Sequence, residues 1–176
     1  MKAHRVLTAV TLAIAAAASG AACLSDEQVD QMASQYAAKA PAANPPALSE
    51  EDAACTRAKF NARLEKLWGP VIGYKAGLTN PAVQKRFGYD KPVWGKLYQG
   101  MVLPDGTTVD PGFGARPLFE ADMLVRVKSA AINQAKTPME VLESIDQVIP
   151  FIELPDLVVQ APPQLNGPGV SAIRGS

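Results

Sequence analysis

Histidine and cysteine are nearly missing from this chain. In 176 residues there is one histidine, His4, and there are two cysteines, Cys23 and Cys55. A Cys/His zinc pattern therefore has no residues to build on. A charge imbalance is missing too: 17 basic residues meet 17 acidic ones, and no basic stripe with interleaved aromatics occurs. Nothing in that balance draws the chain to nucleic acid or to an anionic membrane surface. The longest apolar run is too short for a comfortable membrane span. Internal repeats and coiled-coil heptads are absent as well. The apolar fraction of 48% overstates the core, because much of it is alanine in the first 60 residues. At this length the chain can still form one domain with a core of its own.

The N-terminus, MKAHRVLTAVTLAIAAAASGAAC, has a basic start, an apolar run from Val6 to about Ala18, and small residues after it. That is the layout of a secretory signal peptide. It predicts cleavage between Gly20 and Cys23, loss of His4 with residues 1–22, and export, to the periplasm in a bacterium. A lipid anchor on Cys23 is the alternative; Gly20 stands where a lipobox usually carries leucine. In an exported protein two thiols suggest one disulfide. Cys23–Cys55 would close a loop of about 30 residues and stabilise by roughly 2–4 kcal/mol. Free thiols are the competing state.

After the cleavage region, Ser25 with Gln28 three residues on is a capping-box pattern, and Val29, Met32 and Tyr36 recur at helical spacing. PAANPPA then breaks any helix. Ser49 before Asp52 opens a second helix carrying Phe60, Leu64 and Leu67, which stops near Trp68 at Gly69-Pro70. From Val71 the character changes. VIGYKAGLT is short, β-like and glycine-punctuated, and Asn80-Pro81 starts a short helix through Phe87. A PDG turn at Pro104 to Gly106 separates two short strand candidates. Thr137, Pro138 and Glu140 start another helix, with Val141, Leu142 and Ile145 on its inner face. The tail, QAPPQLNGPGVSAIRGS, reads as loop.

The chemistry lies in PLFEADMLVRV, residues 117–127. On a strand, residues two apart share a face, so Leu118, Glu120, Asp122 and Leu124 point one way. Phe119, Ala121, Met123, Val125 and Val127 point the other and form the expected core face. On this pattern alone the two acids can simply sit in water. Glu153 is harder to explain so. It interrupts VIPFIEL, which reads as a strand covered on both faces, and a buried carboxylate costs several kcal/mol unless paired or coordinated. Lys75 or Arg126 could pair with it, and so could a cation. Three converging carboxylates would repel one another unless a divalent ion held them, and oxygen ligands alone select a hard ion: Mg²⁺, Mn²⁺ or Ca²⁺. Spacing permits that convergence without requiring it.

Taken in order, GYKAGLTNPAVQKRFGYDKPVWGKL, FEADMLVRV and FIELPDL resemble the 2-keto-4-pentenoate hydratase branch of the fumarylacetoacetate hydrolase family, from about Leu24 to about Val159. The resemblance implies a metal triad at Glu120, Asp122 and Glu153. It also implies a Mg²⁺ or Mn²⁺ ion that chelates the 2-oxo acid end of a substrate and stabilises an enolate. Lys75, in the GYKxG block, would hold the substrate carboxylate or move a proton. Four departures stand out. Asp122 replaces the usual glutamate. Val93 stands where the hydratases carry the aspartate of a PDFG-like stretch. Leu157 and Val158 replace the serine and arginine of a DSR-like stretch. The chain also ends at Ser176, where the family's domain continues with further strands.

The expected fold is therefore α+β. Residues 1–22 are a signal peptide, 23–70 a helical segment, and 71–176 a partial, mixed and strongly curved β-roll whose curvature comes from the resemblance. The expected activity is metal-dependent hydration, or related C–C hydrolysis or decarboxylation, of a small 2-oxo or 2-hydroxydienoic acid. Expected partners are that small molecule and, as an open case, further copies of the chain. Nucleic acid and stable membrane insertion after signal removal are not expected. The alternatives are a degenerate exported relative that binds without turnover, or a truncated gene product.

Overall fold

Local signals build the N-terminal half. A computed structural model describes residues 22–161 and 165–173; the expected signal segment and His4 lie outside them. Helix α1 (Asp26–Ala37) opens on a complete capping box, in which the Ser25 side chain accepts from the Gln28 N–H and the Gln28 side chain accepts from the Ser25 N–H. Helix α2 (Glu50–Trp68) is capped by Ser49 and stops at Gly69, whose φ of +83° favours glycine. Val29 and Met32 of α1 pack with Phe60 and Leu64 of α2, and all four are buried. Tyr36 meets Phe60 edge to face. Burial, and next the negative charge of Asp156, push its phenol up to about 12. Leu67, expected on the inner side, is exposed.

Cys23 and Cys55 form a disulfide that joins the segment before α1 to α2. The Leu24 N–H donates to the Thr56 hydroxyl beside it. A sulfur in a disulfide cannot carry a thioether lipid, so this bond and an anchor on Cys23 exclude each other. The pairing is consistent with an oxidising environment. No helix among the described residues is long and apolar enough to cross a membrane.

The second half is organised around two antiparallel ribbons. In the first, β1 (Val71–Gly77) pairs with β2 (Val93–Tyr98), with α3 (Pro81–Arg86) between them on the N-cap of Asn80. In the second, β3 (Glu120–Val127) pairs with β4 (Ile145–Glu153), with α4 (Pro138–Glu143) between them on the Thr137–Glu140 capping box. One isolated parallel bridge joins Ala42 to Val159. The chain is thus α+β, with helices first and β-structure after. The expected curved, mixed roll is represented among the described residues by these two ribbons. They touch each other little.

Several sequence expectations are corrected. After the PDG turn, residues 107–109 form no strand. The tail contains α5 (Gly167–Ala172), capped by the Asn166 side chain and packed on α2. The apolar face of β3 is not covered: Phe119 is 82% exposed, and Met123, Val125 and Val127 are exposed with it. Strand β4 is likewise open on that side at Val148 and Ile152. In α4, Val141 and Leu142 are exposed rather than inward. Periodicity states which residues share a face; it does not state which face another layer covers.

Two predictions follow from the helical half. Replacing both cysteines (Cys23→Ser with Cys55→Ser) should lower the melting temperature by roughly 5–15 °C in calorimetry. On the helix surface, the Arg63 guanidinium holds the Asp30 carboxyl below its usual range, and Lys91 with Tyr89 does the same to Glu50. Depressed carboxyl values contribute stability that is present at neutral pH and lost as pH falls through them. Urea midpoints should therefore drop on acidification below the ordinary carboxylate range, and Arg63→Met should make that drop shallower.

Candidate functional site

Strand alternation places Lys75. In β1 the half-buried positions are Val71, Gly73, Lys75 and Gly77, while Ile72, Tyr74 and Ala76 face out. Lys75 therefore stands on the inner face between two glycines, and its cross-strand partner is Gly95. Outward, Tyr74 packs edge to face on Trp94, over which the Arg57 guanidinium lies. These outer contacts fix the ribbon that carries the lysine.

Strand pairing places the acids. Glu120 is registered directly opposite Glu153, and Asp122 opposite Phe151. All four side chains emerge from one face of the ribbon, which includes the half-buried Leu124, Ile149 and Phe151. Two like charges opposite each other are destabilising unless a third group intervenes. Lys75 intervenes: its Nζ lies 2.7 Å from Glu153 Oε1, and both side chains are 19% exposed. At that degree of cover, loss of either partner strands a charge away from water. The other candidate cation, Arg126, is engaged elsewhere in a two-pronged pair with Asp146, which holds that carboxyl below its usual range. Asp122 Oδ1 accepts the N–H of the next residue, Met123, at 2.7 Å. Glu120 is exposed.

The resemblance implies a divalent ion here, and the side chains can be tested against it. The backbone register brings the Glu120 and Glu153 positions together. The carboxylates themselves are not gathered: Glu153 is occupied by an ammonium, and Asp122 turns to its own backbone. Among the described residues no three His, Cys, Asp or Glu side chains form a group that could hold a metal. As placed, these residues do not fit a dication.

Two of the departures have a structural meaning. Val93 is 3% exposed and Val158 is 1% exposed, and both belong to the main core cluster with Phe60, Leu64 and Tyr98. Where the resemblance places an aspartate and an arginine, this chain has core methyl groups.

Asp156 was not singled out from the sequence, yet it fixes the approach to β3. Its carboxylate accepts the backbone N–H groups of Ala115 and Arg116 at 2.9 and 2.7 Å. Gly114 lies so close that an added Cβ would stand 2.5 Å from the Asp156 Cγ. The glycines at 112 and 114 were the available signal. Next to this loop, at the end of the ribbon where Glu120 and Glu153 lie, is an open cleft of about 230 Å³. Val109, Phe113, Pro117, Leu118 and Leu154 line it, with Asp110 as its charged member.

No protein-family model matches the chain. It is 29% identical over 111 residues to a 4-oxalocrotonate decarboxylase of Pseudomonas putida, covering 63% of this chain and 42% of that protein. It is 29% identical over 109 residues to a 2-keto-4-pentenoate hydratase of Paraburkholderia xenovorans strain LB400, covering 62% and 40%. The chain thus spans about two fifths of the length of the curated relatives it matches. In structure it is similar to the 4-oxalocrotonate decarboxylase from Pseudomonas putida G7 complexed with magnesium and adipate. That match has a TM-score of 0.69 and 25% identity, over 86% of this chain and 60% of that one. The same enzyme complexed with calcium and acetate matches with a TM-score of 0.67.

The contact between Lys75 and Glu153 can be measured by a double-mutant cycle. Lys75→Ala and Glu153→Ala should each cost about 1–3 kcal/mol in urea unfolding, with a coupling of about 1 kcal/mol or more between them. Arg126→Ala, at an exposed pair, should cost about 0.5 kcal/mol or less. Sequence and fold together relate this chain to the hydratases and decarboxylases of the fumarylacetoacetate hydrolase superfamily.

Proposed function

We propose that this chain is a binding relative of those enzymes, taking a small 2-oxo or 2-hydroxydienoic acid at Lys75 without turning it over. The observation that carries the reading is the absence of polar groups at Val93 and Val158, both buried in the core. Hydration of a dienoic acid requires a group that delivers a proton to carbon and another that activates water. Val93 can neither accept nor donate a proton, Val158 offers no polar group to a ligand, and both are buried in the core. Lys75 keeps a binding role: an ammonium has three donors, and one is used by Glu153. The remaining two suit a ligand carboxylate. The apolar cleft beside Leu118 and Leu154 suits the hydrocarbon end of such an acid.

The disulfide and the basic-apolar-small N-terminal pattern support an exported, periplasmic location for this binding role. We also take residue 70 as the boundary between a helical segment and a β-segment. The second reading is metal-dependent turnover by the same residues. One observation favours it: the register sets Glu120 opposite Glu153 with Asp122 on the same face. Such a reading needs Glu153 to leave Lys75, and no step through a metal is derived from the arrangement described above.

Calorimetric titration with 2-oxopentanoate, in chelator and without metal, should give binding that Lys75→Ala abolishes. The absorbance of 2-hydroxypenta-2,4-dienoate should stay constant with the protein present, with or without Mg²⁺. Loss of that absorbance with Mg²⁺, abolished by Glu153→Gln, would overturn the binding reading in favour of the hydratase.

A further inference from the structure

We infer that the Lys75 ammonium is the built-in cation of the acidic end of the β3–β4 ribbon, so that a divalent ion enters only by displacing it. The inference rests on reading Lys75 and Glu153 as the site, and adds what controls its access to metal.

Four observations lead there. First, the register sets Glu120 and Glu153 side by side, a juxtaposition that calls for a positive charge. Second, that charge is supplied from the other ribbon, by Lys75 at 2.7 Å from Glu153 Oε1. Third, the lysine has an unobstructed setting on its own strand, with Gly73 and Gly77 on the same face and Gly95 across from it. Fourth, Asp122, the remaining acid of the face, is satisfied by the Met123 N–H. Each carboxylate that a dication would need is thus either spoken for inside the protein or, in the case of Glu120, left alone in water.

The physical consequence is an exchange. A divalent ion must remove an ammonium from a carboxylate where both are four-fifths covered, and must leave that ammonium without a partner. A point charge on a flexible four-carbon stem can make that move, but the exchange opposes metal entry. Taking the ammonium away reverses the balance, because the Glu120–Glu153 juxtaposition then has a net charge of minus two and no internal counterion. Lys75 also ties together two ribbons that otherwise touch little, so its release would loosen β3–β4 from the rest of the chain.

The test uses manganese alone, with no organic acid, so that it stands apart from the ligand-binding reading. Mn²⁺ affinity is measured by electron paramagnetic resonance on the disulfide-bonded protein and on Lys75→Met. The substitution should tighten Mn²⁺ binding by about tenfold or more, and adding Glu153→Gln should erase the gain. Lys75→Gln, which keeps a polar end of similar reach, serves where the methionine variant does not fold, with the same expectation. Equal or weaker Mn²⁺ binding by these variants than by the unsubstituted protein would overturn the inference. So would a gain that survives Glu153→Gln. Failure here with intact 2-oxopentanoate binding leaves the binding reading standing; success here without such binding removes that reading alone.

Discussion

A largely covered carboxylate at the end of an apolar run must be satisfied, and the arrangement of the β-half depends on how Glu153 is. Strand β4 carries it at the end of an apolar run, and β3 sets Glu120 opposite. Without a positive charge this end of the ribbon would hold two repelling acids, one of them largely removed from water. Lys75 resolves the conflict from a different ribbon, and in doing so links two pieces of structure that share little other contact. The same ion pair therefore serves the fold and defines the chemistry of the site.

That double role bears on how far the activity of similar enzymes carries over to this chain. The chain retains the lysine block and the spaced acids that relate it to decarboxylases and hydratases. Val93 and Val158 pack in the core with Phe60, Leu64 and Tyr98. A methyl group in the core contributes to stability and cannot move a proton.

What the sequence made legible were local interactions. The capping boxes at Ser25 and Thr137, the stop at Gly69 and the short helix after Asn80 are each written in a few neighbouring residues, while the cysteine pairing followed from there being two cysteines in a chain read as exported. Glu153 was recognised as needing a partner, with Lys75 and Arg126 as candidates. Sequence could not choose between them, because the choice turns on Arg126 finding Asp146 across its own ribbon. Helix α5 was missed for a related reason. A Gly-Pro-Gly run has little helical propensity, and its helix rests on the Asn166 cap and on packing against α2. The apolar face of β3, expected in the core, is exposed, since alternation separates two faces without saying which one another layer covers. On the acidic face, Lys75 reaches Glu153 of β4, while Glu120 and Asp122 of β3 are exposed.

The central claim is that an ammonium, not a metal, neutralises the acids where β3 meets β4. An anomalous difference map from crystals of the disulfide-bonded protein grown with equimolar Mn²⁺ tests it most directly. The account predicts no manganese peak between Glu120 and Glu153, and Lys75 Nζ within hydrogen-bonding distance of the Glu153 carboxylate. A peak ligated by Glu120, Asp122 and Glu153, with Lys75 turned away, would contradict it.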